Sequence, residues 1–554
     1  MCARERGWSR VPDTTSRVRD TTNRAYRATR DGAARVVGRI RRRWRTTTPQ
    51  ERQTVRLAAG SAALGLAVAL TAVAVTGPWD SGQRTAERTW AAREGQGSGG
   101  KHTPGQDGGR AGLTAPQVLA AAGPAQGRGG SGGKGGTGNG AARDDASQRA
   151  DQVPPPTSSA LADTLEPLLK DGSLGSVRRA SVVDVVTGRQ IFSERASEPS
   201  TPASTVKLAT AVAALTAAGE GHRVATRVVA DGDKVTLVGG GDPTLTADDL
   251  AGLARDTAGA LKKRGIDKVT LSYDTSLYSG TDQHPIGPNE NLAPVTPLML
   301  NEGRLAGTSR TGSGGEAEHG PAPRTDDPAG QAVEAFGKRL AGEGVRIRGT
   351  ATAREAPGAA EQVAVHRSAT LGALVERMLT HSDNDIAEAL ARQTALAQGE
   401  PASFDGAGRA VERVLRRLDL PLKGAHFADG SGLDRDDRVS AGLLTQLLSR
   451  AADPGKPALR PVLTGLPVAG FTGTLGGRYG GERGEPGAGL VRAKTGTLTG
   501  VNTLAGTVVD ADGRMLAFAF MTTGTQERDA AQGVLDRLAS ALANCGCRDS
   551  PSAG

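Results

Sequence analysis

The chain has 554 residues, of which 37% are hydrophobic, 3% are aromatic and 78 are glycine. That is too little apolar material for uniform packing, so part of the chain is predicted to be unstructured. Three cysteines exclude a disulfide scaffold. The net charge of +9 belongs to one tail, because residues 1–56 carry 16 Arg and five acidic residues, whereas the other 52 basic and 54 acidic residues nearly cancel. This distribution argues against nucleic acid as a partner.

An uncharged run extends from Leu57 to Val75. At ~1.5 Å per residue it spans about 28 Å, close to the thickness of a bilayer core. A buried soluble helix and a cleaved signal peptide are the alternatives, but the run has no polar face and 56 residues precede it. We therefore expect a transmembrane anchor over 57–77. By the positive-inside rule, the basic tail at 1–56 is cytoplasmic and the rest lies outside the membrane of a bacterial cell.

Residues 78–157 have the composition of a linker. They include the glycine-rich stretch 126–140 and three consecutive prolines at 154–156. Such a sequence cannot bury enough apolar surface to offset its ordering entropy. The segment is predicted to be a disordered tether that is stiffer at its proline end.

From Ser158 onwards, hydrophobic periodicity predicts regular elements. In chain order these are a helix at 160–170, strands at 180–186 and 190–193, a buried helix at 205–218, a region of glycines and short strands at 222–365 with a loop at 307–330, helices at 368–380, 386–397 and 439–451, strands at 490–493, 503–510 and 515–522, and a helix at 526–543. Strands at both ends with helices between them predict an α+β fold whose sheet is assembled from distant parts of the chain.

This pattern predicts one domain made of residues 158–221 and 366–545, interrupted by an inserted domain at 222–365. Residues 546–554 form a tail. Cys545 and Cys547 lie outside the predicted membrane, where they could form a disulfide bond with each other. Cys2 lies in the predicted cytoplasmic tail and cannot join them.

The first motif with chemical potential is Ser204-Thr205-Val206-Lys207, at the start of the buried helix. A serine hydroxyl is a poor nucleophile and needs an adjacent base. At i and i+3 on a helix, Ser204 and Lys207 point the same way. Apolar neighbours disfavour the ammonium form of Lys207, so its amine can accept a proton. A second S-x-x-K, Ser131 to Lys134, lies in the glycine linker, where a disordered backbone cannot preorganise a nucleophile.

Two further motifs follow in order. Ser382-Asp383-Asn384 precedes a predicted helix and supplies a hydroxyl for proton relay and an amide for a substrate carbonyl. The alternative is a Ser/Asn helix cap, and both roles can hold at once. Lys494, Thr495, Gly496 and Thr497 form a cationic, hydroxyl-lined strand edge suited to a substrate carboxylate. Gly496 is expected to let the substrate approach the strand closely. Each motif alone is a weak signal, but the three in this order are a strong one.

Together these motifs resemble those of the serine penicillin-binding proteins and β-lactamases. Flanking stretches at 202–207, 239–245, 429–433 and 473–475 are similar to the class C low-molecular-mass D-alanyl-D-alanine carboxypeptidase/endopeptidase family, peptidase family S13. The resemblance covers about residues 158–545. It implies the transpeptidase-like fold, an antiparallel sheet flanked by helices, with an extra domain inserted between the first two motifs.

The resemblance also implies the reaction. Ser204 attacks the D-Ala-D-Ala bond of a peptidoglycan peptide while Lys207 takes its proton, and backbone N–H groups of Ser204 and Thr497 form the oxyanion hole. Ser382, supported by Asn384, relays the proton to the leaving amine. Lys494, Thr495 and Thr497 bind the terminal carboxylate, water releases the acyl-enzyme, and β-lactams act as inhibitors.

Other interpretations stay open. A β-lactamase or a non-catalytic module that senses wall peptides or β-lactams would share the fold, and the balance between carboxypeptidase and endopeptidase action is not set by these motifs. Glycine turns at 429–433 and 473–479 either line the cleft or are structural. No cofactor is expected, the seven His form no evident ligand cluster, and His381 is taken as incidental.

Overall fold

The computed structural model describes residues 153–305, 319–480 and 486–546. Within these ranges, no helix combines the length and apolar composition needed to cross a bilayer. The predicted anchor at 57–77 and the basic tail at 1–56 lie outside the described residues. The predicted linker lies outside them up to residue 152.

The two ends of the folded part differ slightly from the predicted boundaries. Within the last five residues of the predicted linker, the Val153 carbonyl accepts a hydrogen bond from Arg514 Nη1 at 2.6 Å, and the Thr157 side chain caps the first helix. Residues 153–157 therefore belong to the folded part. At the other end, Cys545 is disulfide-bonded, while Cys547, its predicted partner, lies outside the described residues.

The strands form two five-stranded sheets and one short pair. In chain order they are β1 (Val177–Asp184), β2 (Gln190–Glu194), β3 (Pro199–Ser200), β4 (Arg223–Asp231), β5 (Lys234–Val238), β6 (Lys268–Asp274), β7 (Arg346–Ala353), β8 (Glu361–Thr370), β9 (Val439–Ser440), β10 (Arg492–Leu498), β11 (Val501–Val509) and β12 (Met515–Thr523).

The first sheet is antiparallel, in the order β10-β11-β12-β1-β2. β1 pairs with β12 along its whole length, from Val177 opposite Thr523 to Asp184 opposite Leu516. The prediction that distant parts of the chain build one sheet is thereby confirmed. The bounds of β10 differ from the prediction, which ended that strand at residue 493, just before Lys494.

The helices pack around both sheets. They are α1 (Ser158–Leu169), α2 (Lys207–Ala218), α3 (Ala247–Lys263), α4 (Pro328–Gly342), α5 (Leu371–His381), α6 (Asn384–Ala397), α7 (Phe404–Arg416), α8 (Ala441–Ala452), α9 (Pro461–Thr464) and α10 (Arg528–Ala543).

Helix α2 lies at the centre of the main hydrophobic core. Its first nine residues, from Lys207 to Leu215, are all buried, as its apolar pattern predicted. Side chains of α5, α6 and α8 pack against it in the same core. A helix enclosed on all sides gives Lys207 a fixed and dry position at its first turn.

The second sheet is built from the chain between α2 and α5, in the order β7-β6-β5-β4-β8. β5, β6 and β7 pair in parallel, and each parallel connection contains a helix, α3 or α4. The sheet has its own hydrophobic core. It starts at Arg223 and ends at Thr370, and the predicted limits of the inserted domain, 222–365, stay a prediction.

Four helices of the described residues escaped the sequence analysis, namely α3, α4, α7 and the four-residue α9. α3 begins with a capping box between Thr246 and Asp249, and α4 has Asp327 as its N-cap with Pro328 as its first residue. The predicted loop at 307–330 is therefore wrong at its end, since α4 starts at Pro328. α7, capped by Ser403, is also absent from the prediction. The caps were present in the sequence, but abundant glycines concealed the helical periodicity.

Candidate active site

Ser204 lies in a 3-10 turn, Ala203–Val206, between β3 and α2. Ala203 adopts φ 48°, a left-handed conformation that is strained for a residue with a Cβ. The turn is tightly held, because a Cβ on Gly432 would come within 2.1 Å of the Ala203 carbonyl oxygen. The half-buried Ser204 hydroxyl is thus presented from a rigid turn, one helical turn before α2 begins.

Lys207 is fully buried and donates hydrogen bonds to three groups. Its Nζ lies 3.0 Å from Ser204 Oγ, 2.7 Å from Asn384 Oδ1 and 2.6 Å from the Ser431 carbonyl oxygen. Burial lowers the pKa of Lys207 to about 8, even though nearby carboxylates, Asp429 first among them, favour the ammonium. With that pKa, about a tenth of the amine is neutral at pH 7 and about half at pH 8, in contact with the Ser204 hydroxyl.

The second motif joins α5 to α6. Ser382 has φ 58° and ends α5 in a left-handed conformation, and Asp383 caps α6 by accepting a hydrogen bond from the Ile386 N–H at 3.0 Å. The cap that was expected at Ser382 or Asn384 is thus made by Asp383. Asn384 Oδ1 is committed to Lys207, and its Nδ2 donates to the Asn291 carbonyl at 3.0 Å. The second Nδ2 hydrogen is the one suited to a substrate carbonyl.

Lys494 is fully buried, which corrects the expectation of a cationic strand edge. Its Nζ donates to Ser382 Oγ at 2.9 Å and to the Thr495 carbonyl at 2.7 Å. Burial, with a further contribution from the charge of Lys207, holds the pKa of Lys494 well below the usual lysine value. The structure thus connects the second and third motifs through an amine–hydroxyl contact.

Thr495 and Thr497 lie on the opposite face of β10 from Lys494 and Gly496. Thr495 is half-buried, and its hydroxyl lies 2.8 Å from that of Thr474. Thr497 is exposed, beside a cavity of about 550 Å³ that extends along 525–529. The expected role of Gly496 in substrate approach stays a prediction, but the structure shows a packing role for this glycine. A Cβ there would lie 2.1 Å from Thr503 Oγ1 and 2.7 Å from the Pro202 carbonyl, so glycine lets β10 pack against the Ser204 turn.

Three contacts at the site were not assigned from the sequence. They are the Ser431 carbonyl on Lys207, the Asn291 carbonyl on Asn384, and Thr474 on Thr495. The glycine turns at 429–433 and 473–479 carry two of them, which favours the interpretation that these turns line the cleft. Backbone carbonyl contacts leave no trace in residue type, so only the glycine turns themselves were a usable signal.

The expectation that no histidine belongs to a ligand-type cluster is wrong. His284 lies with Glu388 and Asp429, all buried, with ligand-type atoms within 4.8 Å of one another. His284 Nε2 is 3.0 Å from Asp429 Oδ2, and Glu388 accepts a hydrogen bond from the Gly430 N–H at 3.1 Å. A hydrogen bond therefore joins His284 to Asp429, and Glu388 is bonded to the same turn through Gly430.

The histidine beside the second motif also has a partner. The ring of His381 stacks on that of His319, with centroids 3.9 Å apart.

Buried acidic residues flank the second motif. Burial raises the pKa of Glu302 to about 8 and that of Asp385 to about 7, and the mutual proximity of these acids contributes. Arg324 Nη2 lies 3.0 Å from Asp385 Oδ2, and Arg304 Nε lies 2.9 Å from Glu302 Oε2. These contacts between arginine and carboxyl groups join the second motif to the segment that precedes α4.

Comparison with protein families identifies a match over nearly all of the described chain. The model of the family described as D-Ala-D-Ala carboxypeptidase 3 (S13) matches residues 161–323 and 314–545. A carboxypeptidase of Mycobacterium tuberculosis is 35% identical over 418 residues, covering 72% of this chain and 87% of the relative. Carboxypeptidase DacB of Mycolicibacterium smegmatis is 36% identical over 414 residues, covering 71% and 86%.

A more distant relative and two crystal structures agree with these matches. The D-alanyl-D-alanine carboxypeptidase of an Actinomadura species is 29% identical over 468 residues, covering 71% of this chain and 86% of its own. Penicillin binding protein 4 of Haemophilus influenzae superposes with a TM-score of 0.58 at 24% identity, covering 70% of this chain and 99% of that one. The same protein in complex with a β-lactam superposes at 0.54 and 23% identity, covering 69% and 98%. The fold is therefore the penicillin-binding α+β fold.

Proposed function

The chain belongs to the D-Ala-D-Ala carboxypeptidase 3 (S13) family, and from that premise we propose that it removes the terminal D-Ala of peptidoglycan stem peptides through an acyl-enzyme on Ser204. The observation that carries the proposal is the 3.0 Å contact between Ser204 Oγ and a fully buried Lys207 amine. A non-catalytic binding module would have no need to bury a lysine there at the cost of desolvating it.

In the proposed acylation step, neutral Lys207 accepts the Ser204 proton while Oγ bonds to the carbonyl carbon of the penultimate D-Ala. The electron pair of the carbonyl moves to its oxygen. Backbone N–H groups of Ser204 and Thr497 are the proposed donors to that oxyanion, as the family resemblance implies. Collapse of the tetrahedral species breaks the C–N bond and releases D-Ala.

The leaving nitrogen must gain a proton as the C–N bond breaks. Ser382 is the proposed donor, and the contact of its hydroxyl with Lys494 Nζ at 2.9 Å supports this role, because the lysine can replace the proton that Ser382 gives away. Before deacylation, Lys207 gives up the Ser204 proton and Lys494 regains one by exchange with solvent. Water then bonds to the acyl carbon while its proton passes to neutral Lys207, and breaking of the acyl–Oγ bond returns that proton from Lys207 to Ser204.

The substrate carboxylate is assigned to the hydroxyls of Thr495 and Thr497, with Lys494 behind them. Since Lys494 is buried with a lowered pKa, the binding of an anion at the two threonines would favour its ammonium form. In this proposal the negative charge of the substrate carboxylate therefore stabilises the positive charge of Lys494.

We also propose that the enzyme is anchored in the bacterial cell membrane with its catalytic part outside. The uncharged run from Leu57 to Val75, preceded by an arginine-rich tail, supports this topology. D-Ala-D-Ala peptides of the cell wall are found on that side of the membrane. The glycine-rich segment before residue 153 would then act as the tether.

One assay separates the three candidate functions. Purified protein is incubated with a diacyl-D-Ala-D-Ala peptide or with a chromogenic cephalosporin, and D-Ala release and β-lactam turnover are measured. We expect rapid release of D-Ala from the peptide. The cephalosporin should acylate each enzyme molecule once, and the resulting acyl-enzyme should be hydrolysed slowly. Fast cephalosporin turnover would instead identify a β-lactamase, and stoichiometric binding with no D-Ala release would identify a sensing module.

A further inference from the structure

We infer that His284 is a positioning residue for acylation, because it holds the turn whose Ser431 carbonyl contacts Lys207. This inference rests on the proposed function and extends it to a residue of the segment between β6 and α4. Neither the motifs nor the chemistry assigned above uses His284, which is 145 positions away from its partner in the chain.

The Asp429 carboxylate is the centre of this turn. Its Oδ1 accepts a hydrogen bond from the Ser431 N–H at 3.0 Å, and its Oδ2 accepts from the Ser431 hydroxyl at 3.1 Å and from the Asp434 N–H at 2.7 Å. Oδ1 also accepts from the Gly432 N–H at 2.5 Å, and that N–H belongs to the same peptide unit as the Ser431 carbonyl, which is thereby fixed facing Lys207 Nζ. Burial opposes ionisation of Asp429, but hydrogen bonds from His284, from Asp437 and from the backbone N–H groups of Gly432 and Asp434 hold its pKa at about 2.

His284 supplies a contact to the Asp429 carboxylate from a distant part of the chain. Its Nδ1 accepts a hydrogen bond from the Ile286 N–H at 3.2 Å, so the ring proton resides on Nε2 and points at Asp429 Oδ2, 3.0 Å away. The ring is 1% exposed and packs edge-on against Phe404, with centroids 5.3 Å apart. A buried, single-tautomer donor of this kind restricts the carboxylate to one orientation.

The stretch of chain that contains His284 also orients Asn384, a second partner of Lys207. The Asn291 carbonyl accepts from Asn384 Nδ2, which turns Asn384 Oδ1 towards Lys207. Two of the three acceptors of the Lys207 amine are therefore set by the stretch from His284 to Asn291. Loss of the His284 donor should release the Ser431 side of this arrangement and leave the Asn384 side intact.

The test compares three variants by stopped-flow acylation with a fluorescent penicillin, resolving non-covalent binding from the acylation rate at saturation. His284→Phe keeps a flat ring against Phe404 but removes the N–H, whereas His284→Gln keeps a donor near the position of Nε2. His222→Gln, at an exposed position, is the matched control. We expect His284→Phe to acylate about 10- to 100-fold more slowly, since misplacement of catalytic groups by about 1 Å can cost a hundredfold.

The non-covalent dissociation constant of the penicillin should change less than about threefold in His284→Phe. His284→Gln should recover most of the acylation rate, and the His222→Gln control should acylate at the wild-type rate. The inference is overturned if His284→Phe acylates at the wild-type rate, if His284→Gln is as slow as His284→Phe, or if the loss lies in binding alone. Should the Phe variant not fold, His284→Asn, too short to reach Asp429, takes its place with the same expected outcomes. A wild type that penicillin does not acylate would instead refute the proposed function.

Discussion

Replacing Ser204 with alanine is expected to abolish both D-Ala release and covalent labelling by a fluorescent penicillin, a loss of at least about 10⁴-fold in rate. The reason is that the variant has no atom in that position to form the acyl bond. Proteolysis of the labelled wild type, followed by mass spectrometry, should place the adduct on the peptide that contains Ser204.

The matched control is Ser131→Ala in the full-length chain, because Ser131 begins the other S-x-x-K sequence and lies outside the described residues. This variant should label and release D-Ala at the wild-type rate. An adduct found on any residue other than Ser204, or full labelling of Ser204→Ala, would contradict the assignment of the nucleophile.

Removal of the Lys207 amine has the second largest expected effect. Lys207→Ala should reduce acylation and D-Ala release about 10³- to 10⁴-fold, the upper range for loss of a general base. Lys207→Met, which retains most of the side-chain volume, should be equally inactive. The melting temperature of the methionine variant should be measured as well, because the substitution removes the desolvation cost of the amine together with its hydrogen bonds to Asn384 and Ser431.

Lys170→Ala is the matched control for this pair, since the Lys170 side chain is 74% exposed. It should leave both rates and the melting temperature unchanged. A Lys207→Met protein that is folded, by its melting temperature, and releases D-Ala at more than about a tenth of the wild-type rate would show that another group takes the Ser204 proton.

Much of the chemistry could be predicted because the site is built from residues whose types the reaction dictates. Ser204 and Lys207 are three positions apart, so local geometry alone brings them together. The buried helix α2 was predictable from its run of alanine, valine and leucine. The sheet was predictable because its strands have strong apolar runs at both ends of the folded part.

The parts that escaped depend on contacts between distant segments. The sequence predicted that Lys494 lies on an accessible strand edge. The packing of β10 against the Ser204 turn and the second motif buries its side chain completely. Gly496 was predicted to let the substrate approach the strand, and nothing in the sequence indicated that Pro202 and Thr503 leave no room for a Cβ there. Burial and close approach of this kind are properties of tertiary structure, which residue spacing does not encode.

The role of backbone groups was equally invisible. The Ser431 and Asn291 carbonyls would be present with any residue at those positions, so no residue type marks them. His284 was passed over because its partner, Asp429, is far away in sequence. The Asp-Gly-Ser-Gly-Leu stretch at 429–433 was noticed for its glycines, and its aspartate proves to hold the turn together.

The central claim is that neutral Lys207 takes the proton of Ser204. Its most direct test is the pH dependence of the second-order acylation rate constant with a penicillin whose own groups do not titrate between pH 6 and 9.5. Because the amine must be unprotonated to act, the rate should rise with pH, reach half its maximum near the pKa of about 8 and level off above it. The midpoint should also fall on warming, as amine ionisation does and carboxyl ionisation does not. A rate constant that is flat across this range, or a midpoint that temperature leaves unmoved, would contradict the account.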